Sequence, residues 1–383
     1  MKKSVFNETA FFSLLRIGLW EEIKDTPKSL IDNVVNWDVV YQLAEEQSVV
    51  GLVASGIDWL KDNVPYFAIP KETALQIVGS TMLIEQRNHA MNSFLASIIE
   101  KLRAANIYAL LVKGQGIAPC YERPLWRSCG DIDLLLSPDN YSRAKQLLIP
   151  IATVIEPESE VVKHLGLTID SWNVELHGSL RSGALHKMDR LIDEVQNDVY
   201  NNGNVRSWMN GKTQIFIPSA DNDVIFVFTH ILKHFFHGGI GLRQVCDWCR
   251  LLWTYRDSLN HKLLVERTRQ AGLTSEWKAF ASLAVRYLGM PAEAMPLYSP
   301  NAYWSWKAKR IKDIILRSGN FGHNLEDIDN QEHHPILIKK FKSFNCYFKD
   351  FKSQFVIFPK DAVSVWCWVL KVGTSTLLED HNK

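Results

Sequence analysis

Residues 129–136 read CGDIDLLL, and this alternation of acidic and branched apolar residues predicts a β-strand. Side chains two residues apart in a strand point to the same face. Asp131 and Asp133 therefore leave the sheet side by side, while Ile132 and Leu134 point to the opposite face. Adjacent carboxylates raise each other's pKa unless a cation lies between them. The pattern favours a site for a hard divalent cation such as Mg²⁺; the alternative is a solvated strand end.

A second apolar strand is predicted upstream, at residues 107–112, and a glycine-containing turn follows it. Glycine lets the backbone approach a ligand closely, and neighbouring amides in such a turn can bind an anion. Lys113 and Arg127 flank this region, and both could hold phosphate oxygens. We therefore expect a phosphate-binding surface beside the acidic strand, formed by Lys113, Gly114, Arg127 and Gly130.

A third alternating segment occupies residues 172–177 and reads WNVELH. Glu175 and His177 lie on one face of the predicted strand. A third carboxylate is expected where two metal ions drive an in-line displacement at phosphorus. If this strand lies beside the Asp131 strand, Glu175 completes a cluster of three carboxylates. The alternative is that Glu175 and His177 form the solvated face of an antiparallel strand.

Taken together, these segments resemble the uncharacterised bacterial nucleotidyltransferase family of the polymerase-beta-like superfamily. The resemblance rests on Lys113-Gly114, Arg127, the stretch at 130–135 and Glu175-Leu176-His177. Its motifs cover residues 107–180, and its general layout covers residues 10–260. It implies an α+β fold, in which a small mixed β-sheet is flanked by helices and followed by a helical region.

The same resemblance implies site roles. Asp131 and Asp133 would bind Mg²⁺, or alternatively Mn²⁺, and Glu175 would be the third acidic position. Lys113 and Arg127 would lie on the phosphate side. The wider superfamily carries a Gly-Ser pair on a helix before its acids, whereas this chain has Lys113-Gly114.

Two functions from different classes follow. One is Mg²⁺-dependent transfer of a nucleoside monophosphate from an NTP to an unidentified acceptor, either a small molecule or a protein. The other is a catalytically weak or inactive nucleotide-binding regulatory module, similar to a toxin–antitoxin interaction module, on the same fold. The intact acids favour the enzyme, and the missing Gly-Ser pair favours the module.

The composition of the chain indicates which binding partners and which compartment to expect. The chain has 43 basic and 42 acidic residues and a net charge of +1, so long nucleic acid is not the favoured partner. We find no apolar run of the roughly 20 residues that a membrane span needs. Six scattered cysteines in a chain of 383 residues indicate a reducing compartment, and we expect a cytoplasmic protein.

The hydrophobic pattern divides the chain into three regions. We predict an N-terminal helical region at 1–104, a nucleotidyltransferase core at 105–220 and a C-terminal helical region at 221–383. Prolines near 291–300 mark a candidate break within the last region. Within the first region, residues 74–104 form the clearest long amphipathic helix.

The predicted helix at 223–237 carries three histidines on one face: His230, His234 and His237. They could line a polar groove beside the phosphate site, stabilise the fold or bind a metal. His177 and Arg243 are further candidates for the groove. Arg243 lies four residues before Asp247 on the next helix and can pair with it.

Two remaining patterns are interpreted as packing. Cys246 and Cys249 match a Cys-x-x-Cys motif but lie within helical periodicity, without a second pair. The stretch from Lys339 to Phe355 interleaves lysines with phenylalanines. Such aromatics can stack nucleic-acid bases, yet their spacing of three and four residues fits one buried helical stripe better.

Overall fold

A central mixed sheet surrounded by helices forms the protein, which confirms the predicted α+β class. The structure, a computed structural model, describes residues 2–22, 30, 35–159, 162–237, 239–320 and 351–380. The described strands are β1 Ala109–Val112, β2 Asp131–Leu136, β3 Val154–Ile155, β4 His164–Ile169, β5 Trp172–His177, β6 Val205–Asn210 and β7 Thr213–Pro218. The named α-helices are α1 Lys2–Trp20, α2 Trp37–Glu46, α3 Val50–Asn63, α4 Lys71–Ala104, α5 Pro138–Leu148, α6 His186–Asn202, α7 Ala220–Phe236, α8 Leu242–Thr254, α9 His261–Gln270, α10 Thr274–Leu288, α11 Ala302–Ser318 and α12 Pro359–Asp380.

The acidic strand lies at the middle of the sheet, whose strand order is β3-β4-β5-β2-β1-β7-β6. Strand β2 is antiparallel to β1 and parallel to β5. In the parallel pair Asp133 lies opposite Glu175, and Asp131 lies opposite Asn173. Strand β5 is in turn antiparallel to β4, where His164 lies opposite His177. The sheet thus brings polar residues from three strands next to one another.

The two faces of β2 have different partners. Ile132 and Leu134 are buried in a cluster with Leu95 of α4, as the sequence predicts for the face away from the acids. Leu135, on the acidic face, is buried in a second cluster that includes Phe228 of α7. The acids therefore point towards the layer of helices that contains α7.

That second cluster also joins the two ends of the chain. It includes buried side chains of α1, α3, α7 and α10. Helices α1 and α3 cross so closely that a Cβ atom on Gly18 would lie 1.9 Å from the backbone oxygen of Leu52. At its other side α1 reaches the end of α10, where Trp20 Nε1 donates to the backbone oxygen of Leu288 at 2.6 Å. Both helical regions therefore contribute to one core.

One helix was not anticipated from the sequence. Residues 183–213 read as a polar segment with a turn at 201–204, but they contain α6 and the whole of β6. Helix α6 buries side chains at intervals of three and four residues along one face, which is the signal that could have identified it: Met188, Leu191, Ile192, Val195 and Val199.

Two sequence expectations concern the C-terminal region and membranes. Residues 339–350 of the Lys339–Phe355 stretch lie outside the described residues. Within the described part, the Phe351 ring lies 5.6 Å from Phe355 and 5.1 Å from Trp366, centroid to centroid. Among the described residues, no helix combines the length and apolar character needed to cross a membrane.

Candidate active site

The three acids singled out by the sequence meet on the face of the sheet below α7. One carboxylate oxygen from each of Asp131, Asp133 and Glu175 lies within 4.8 Å of the other two. The parallel register places Asp133 beside Glu175, and Asp131 is two residues earlier on the same face. Asp133 is only 3% exposed, whereas Asp131 and Glu175 are half-buried. An all-oxygen donor set of this kind suits a hard divalent cation such as Mg²⁺.

Lys113 follows β1 and reaches the acids from a strained backbone. Its φ is 59° and its ψ is −156°, close to a region that residues other than glycine rarely occupy. Gly114 also has a positive φ, 47°. Lys113 Nζ donates to Asp133 Oδ1 at 2.7 Å. Strain at a residue that contacts a buried acid is the arrangement expected of a functional position. Gly130, by contrast, is exposed, and a Cβ there would meet open space.

Two histidines complete the cluster. His177 Nε2 lies 2.8 Å from Asp133 Oδ1 and 3.3 Å from Glu175 Oε2. His164 Nε2 lies 3.1 Å from the same Glu175 oxygen. Ligand atoms of His164, Glu175 and His177 also lie within 4.8 Å of one another. His164 was missed at the sequence level, although the alternation of residues 164–169 resembles that of β5 and could have indicated its strand.

The three carboxylates of the cluster differ in how far neighbouring groups stabilise their negative charge. Burial, together with the charge of Asp133, raises the pKa of Asp131. Burial also acts to raise the pKa of Asp133, but Lys113 and His177 outweigh it and the net pKa is lowered. The pKa of Glu175 is lowered too, since hydrogen bonds with His164 and His177 outweigh its burial. Asp131 is therefore the acid that a further cation would stabilise most.

Arg127 pairs with a carboxylate that is not one of the three acids of the cluster. Its Nε and Nη2 donate to the two oxygens of Asp247 at 2.7 and 2.6 Å, and both side chains are buried. The hydroxyl of Tyr121 donates to Asp247 as well, at 2.7 Å. The predicted pairing of Arg243 with Asp247 is thus replaced by a bidentate tertiary contact. Arg243 Nη1 instead donates to the backbone oxygen of Ser128 at 2.7 Å.

A cavity of about 400 Å³ opens beside the acids, and we call it the first cavity. The sheet side contributes Lys113, Gly114, Asp131 and Asp133 to its lining. Helices α7 and α8 contribute His230 and Arg243, and the Arg127–Asp247 pair also borders it. Carboxylates, a glycine turn and two cations are the groups that bind a metal ion and phosphate oxygens together.

A neighbouring space of about 570 Å³ lies on the other side of Lys113, and we call it the second cavity. It shares Lys113 and His230 with the first cavity. His164 and His177 line it from the sheet, and Lys233 lines it from α7. Lys233 was not singled out from the sequence, because a lysine on a helix is usually solvated.

The three histidines of α7 have different surroundings. His230 lines both cavities, and its ring lies 4.3 Å from that of His234. His237 follows the end of the helix, and its ring lies 5.1 Å from Trp368. Burial lowers the pKa of all three, to about 3 for His234 and about 4 for His237. His230 alone of these three borders both cavities, so it is the one placed to meet a substrate.

The Cys-x-x-Cys motif lies in the core. Cys246 and Cys249 are fully buried in α8 as free thiols. Burial raises the pKa of both thiols, which leaves them protonated and unreactive. Asp247 lies between the two cysteines and borders the cavity beside the acids. Its partner, Arg127, lies 120 positions earlier in the chain.

Comparisons with known proteins identify the family. No curated protein and no solved structure matches the chain significantly. A family model described as an uncharacterised nucleotidyltransferase matches residues 33–289, which include the acidic cluster, both cavities and the Arg127–Asp247 pair. This match spans well over half of the sequence. The chain therefore belongs to this uncharacterised nucleotidyltransferase family.

Proposed function

We propose that the protein transfers a nucleoside monophosphate from an NTP to an acceptor, using Mg²⁺ held by Asp131, Asp133 and Glu175. Mn²⁺ is the alternative ion. The observation that carries the proposal is the meeting of three carboxylates within 4.8 Å, beside a cavity that also contains a glycine turn and cations. Family membership supports nucleotide transfer in general. When bound, the metal neutralises phosphate charge and lowers the pKa of a coordinated hydroxyl.

The reaction that we propose exchanges one bond at phosphorus for another. An acceptor oxygen forms a bond to the α-phosphorus, and the bond from this phosphorus to the pyrophosphate oxygen breaks. Pyrophosphate leaves with the electron pair, and the acidic cluster takes the hydroxyl proton. His177 Nε2, between Asp133 Oδ1 and Glu175 Oε2, would hold those two acids in position.

Each remaining residue at the first cavity has a part in this proposal. Lys113 and the Gly114 amide would bind phosphate oxygens, with Gly130 at the entrance of β2. Arg243 and His230 would line the nucleotide groove, with His234 behind His230. Arg127 would act through Asp247 as a positioning residue, because two of its donors already bind that carboxylate.

We further propose a cytoplasmic protein whose acceptor is a small molecule or a protein. The net charge of +1 gives no general attraction for long nucleic acid. All five described cysteines are free thiols, which suits a reducing compartment.

The second candidate is a nucleotide-binding regulatory module without turnover. The replacement of Gly-Ser by Lys113-Gly114 favours it. Both candidates bind nucleotide, so only turnover separates them. Incubation of the purified protein with each labelled NTP, Mg²⁺ and a cell-extract acceptor pool measures that turnover directly. Label transfer supports the enzyme; binding of nucleotide without any transfer supports the module.

The metal assignment is tested with Asp131→Asn. We expect this variant to lose nucleotide transfer and the Mg²⁺-induced rise in melting temperature. Without Mg²⁺ it should melt at or above the wild-type temperature, because the pKa of Asp131 is raised by burial and by its neighbour Asp133. Asp133→Asn should also lose transfer, but it should melt earlier, since Lys113 and His177 stabilise that charge.

Asp257→Asn is the matched control, since the Asp257 side chain is 89% exposed. It should keep both transfer and the Mg²⁺ response. Equal Mg²⁺-induced shifts in the wild type, Asp131→Asn and Asp133→Asn would remove the metal from the proposal.

A further inference from the structure

The second cavity is lined by nitrogen-bearing side chains on three sides. Six of the residues around it carry a basic group: Lys113, His164, His177, Arg181, His230 and Lys233. Among the described residues, no carboxylate belongs to this lining. The first cavity differs, because Asp131, Asp133 and Asp247 belong to its lining. Four of the six basic groups already contact a carboxylate outside this lining: Lys113 and His177 contact Asp133, His164 contacts Glu175, and Arg181 contacts Asp193. Burial lowers the pKa of His230, so Lys233 is the residue of this lining that favours an anion.

Lys233 distinguishes this pocket from an ordinary basic surface. Other lysines buried to a similar or greater degree have polar partners: Lys312 contacts Glu8, and Lys187 contacts Glu276. Lys307 donates to the hydroxyl of Ser275 and lies over the ring of Tyr303. Lys233 is largely buried in α7, yet the described structure gives it no hydrogen bond and no ion pair. The acids that affect it do so from a distance.

A buried cation without a partner lowers the stability of a fold. Burial and the charge of Lys113 lower the pKa of Lys233, in line with this cost. The ammonium group of Lys233 faces a cavity and has no counter-ion from the described chain. A bound ligand could supply that counter-ion.

The location of the pocket indicates which substrate carries the anion. Transfer requires two substrates at once, and two cavities meet at Lys113 and His230. The first contains Asp131 and the Gly114 turn, which suit a metal-bound triphosphate. The second borders His164 and His177, both of which contact Glu175. It therefore lies beside the same acids, with Lys113 between the triphosphate groups and this second space.

We propose that the second cavity binds the acceptor, and that this acceptor is a small molecule with a phosphate or carboxylate group that pairs with Lys233. This inference rests on the proposed nucleotide transfer. It makes the acceptor anionic and excludes an uncharged sugar or a basic peptide. The anion of the acceptor supplies the counter-ion that the chain does not provide.

Inorganic phosphate is the probe, and titration calorimetry on the full chain is the measurement. Phosphate should bind the wild type both alone and in the presence of saturating Mg²⁺ and a non-hydrolysable NTP analogue. Lys233→Gln should weaken phosphate binding by about tenfold or more, since a charge-assisted contact is lost. Lys233→Arg should retain binding. Lys212→Gln, at an exposed turn between β6 and β7, should bind like the wild type.

Each outcome decides the proposal. Lys233→Gln should fold, because it removes an unpaired buried charge, and its melting temperature should equal or exceed that of the wild type. Unchanged phosphate binding in Lys233→Gln, or no binding in the wild type, would overturn the inference. Displacement of phosphate by the NTP analogue would also overturn it and would assign the cavity to the triphosphate. The assay needs no turnover, so a failure of nucleotide transfer is recognised separately, by the absence of label transfer with the wild type.

Discussion

Two buried cation–carboxylate pairs border the first cavity, and they are built differently. Arg127 and Asp247 share two hydrogen bonds, and Tyr121 adds a third to the same carboxylate. Lys113 and Asp133 share a single contact, and Asp133 uses the same oxygen for His177. Lys113 also has a strained backbone, whereas Arg127 has an ordinary extended one.

The difference separates a pair with a fixed geometry, which we call the structural pair, from a pair that can exchange partners. A guanidinium held at both ends by one carboxylate has little freedom to exchange partners. An ammonium group is a point charge and can turn to a second anion without losing a planar fit. Arg127 and Asp247 thus hold α8 against the segment before β2, while the proposed role of Lys113 requires only that its ammonium group exchange Asp133 for another anion.

The largest expected effect comes from breaking the structural pair. Asp247→Ala should lower the free energy of unfolding by about 3–5 kcal/mol, because it leaves Arg127 buried without a partner. Urea denaturation followed by tryptophan fluorescence measures this. Glu100→Ala is the control, since it removes an exposed ion pair with Arg103 and should cost less than about 1 kcal/mol. Equal losses in the two variants would contradict the structural assignment.

A smaller effect should distinguish two variants of Lys113. Glycine is usually less stabilising than alanine, by roughly 0.5–1 kcal/mol in regular structure. At a φ of 59° and a ψ of −156° the order should reverse. The free energy of unfolding of Lys113→Gly should exceed that of Lys113→Ala by about 1 kcal/mol. Both variants lose the ammonium group, so its contribution cancels. If Lys113→Ala proves the more stable, the backbone at this turn is unstrained and that part of the comparison is wrong.

The effect that is smallest at neutral pH, and that grows on acidification, concerns the pH dependence of stability. Burial, with Lys233 and Lys113 nearby, lowers the pKa of His234 to about 3, whereas the unfolded chain takes up this proton near pH 6.5. Between these values the unfolded state binds more protons, so stability falls as the pH falls. His234→Gln should flatten the decline between pH 7 and pH 4, by at most about 1.4 kcal/mol per pH unit.

His177 should behave in the opposite way. Burial acts to lower its pKa, but Asp133 and Glu175 outweigh this and the net pKa is raised. Its contribution is present in full below its ordinary pKa and is lost as the pH rises. His177→Gln should therefore remove the gain in stability that the wild type shows as the pH falls towards about 6.5, and it should leave the slope below about pH 6 unchanged. Urea midpoints measured at a series of pH values would compare both variants, and parallel profiles would reject the assigned shifts.

Local alternation predicted the acidic strands well. The segments at 129–136 and 172–177 coincide closely with β2 and β5, because in each one the buried and polar residues alternate. The segment at 107–112 includes β1, and 74–104 falls within α4. The three acids were also identified. Their parallel pairing could be stated only as a condition, since strand order depends on residues far from either strand.

Local sequence patterns could not predict the contacts that distinguish the Arg127–Asp247 pair from the Lys113–Asp133 pair. Arg127 and Asp247 are 120 positions apart, and helical periodicity around Asp247 indicates burial without naming a partner. Lys233 looks like a solvated helix residue until the structure places a cavity beside it. The φ of Lys113 is equally invisible, because lysine gives no signal for a conformation that glycine normally adopts.

The contact between α1 and the end of α10 has a consequence for the order of events during synthesis. Helix α1 can pack on α3 as soon as the chain up to Asn63 has left the ribosome. Its bonds to Tyr287 and Leu288 must wait for more than two hundred further residues, which take on the order of 10–40 s to translate. During that interval the far side of α1 has no native partner, so a nascent chain stalled before residue 274 should expose Phe12 to proteolysis or chaperone binding, and a chain extended beyond 300 should protect it.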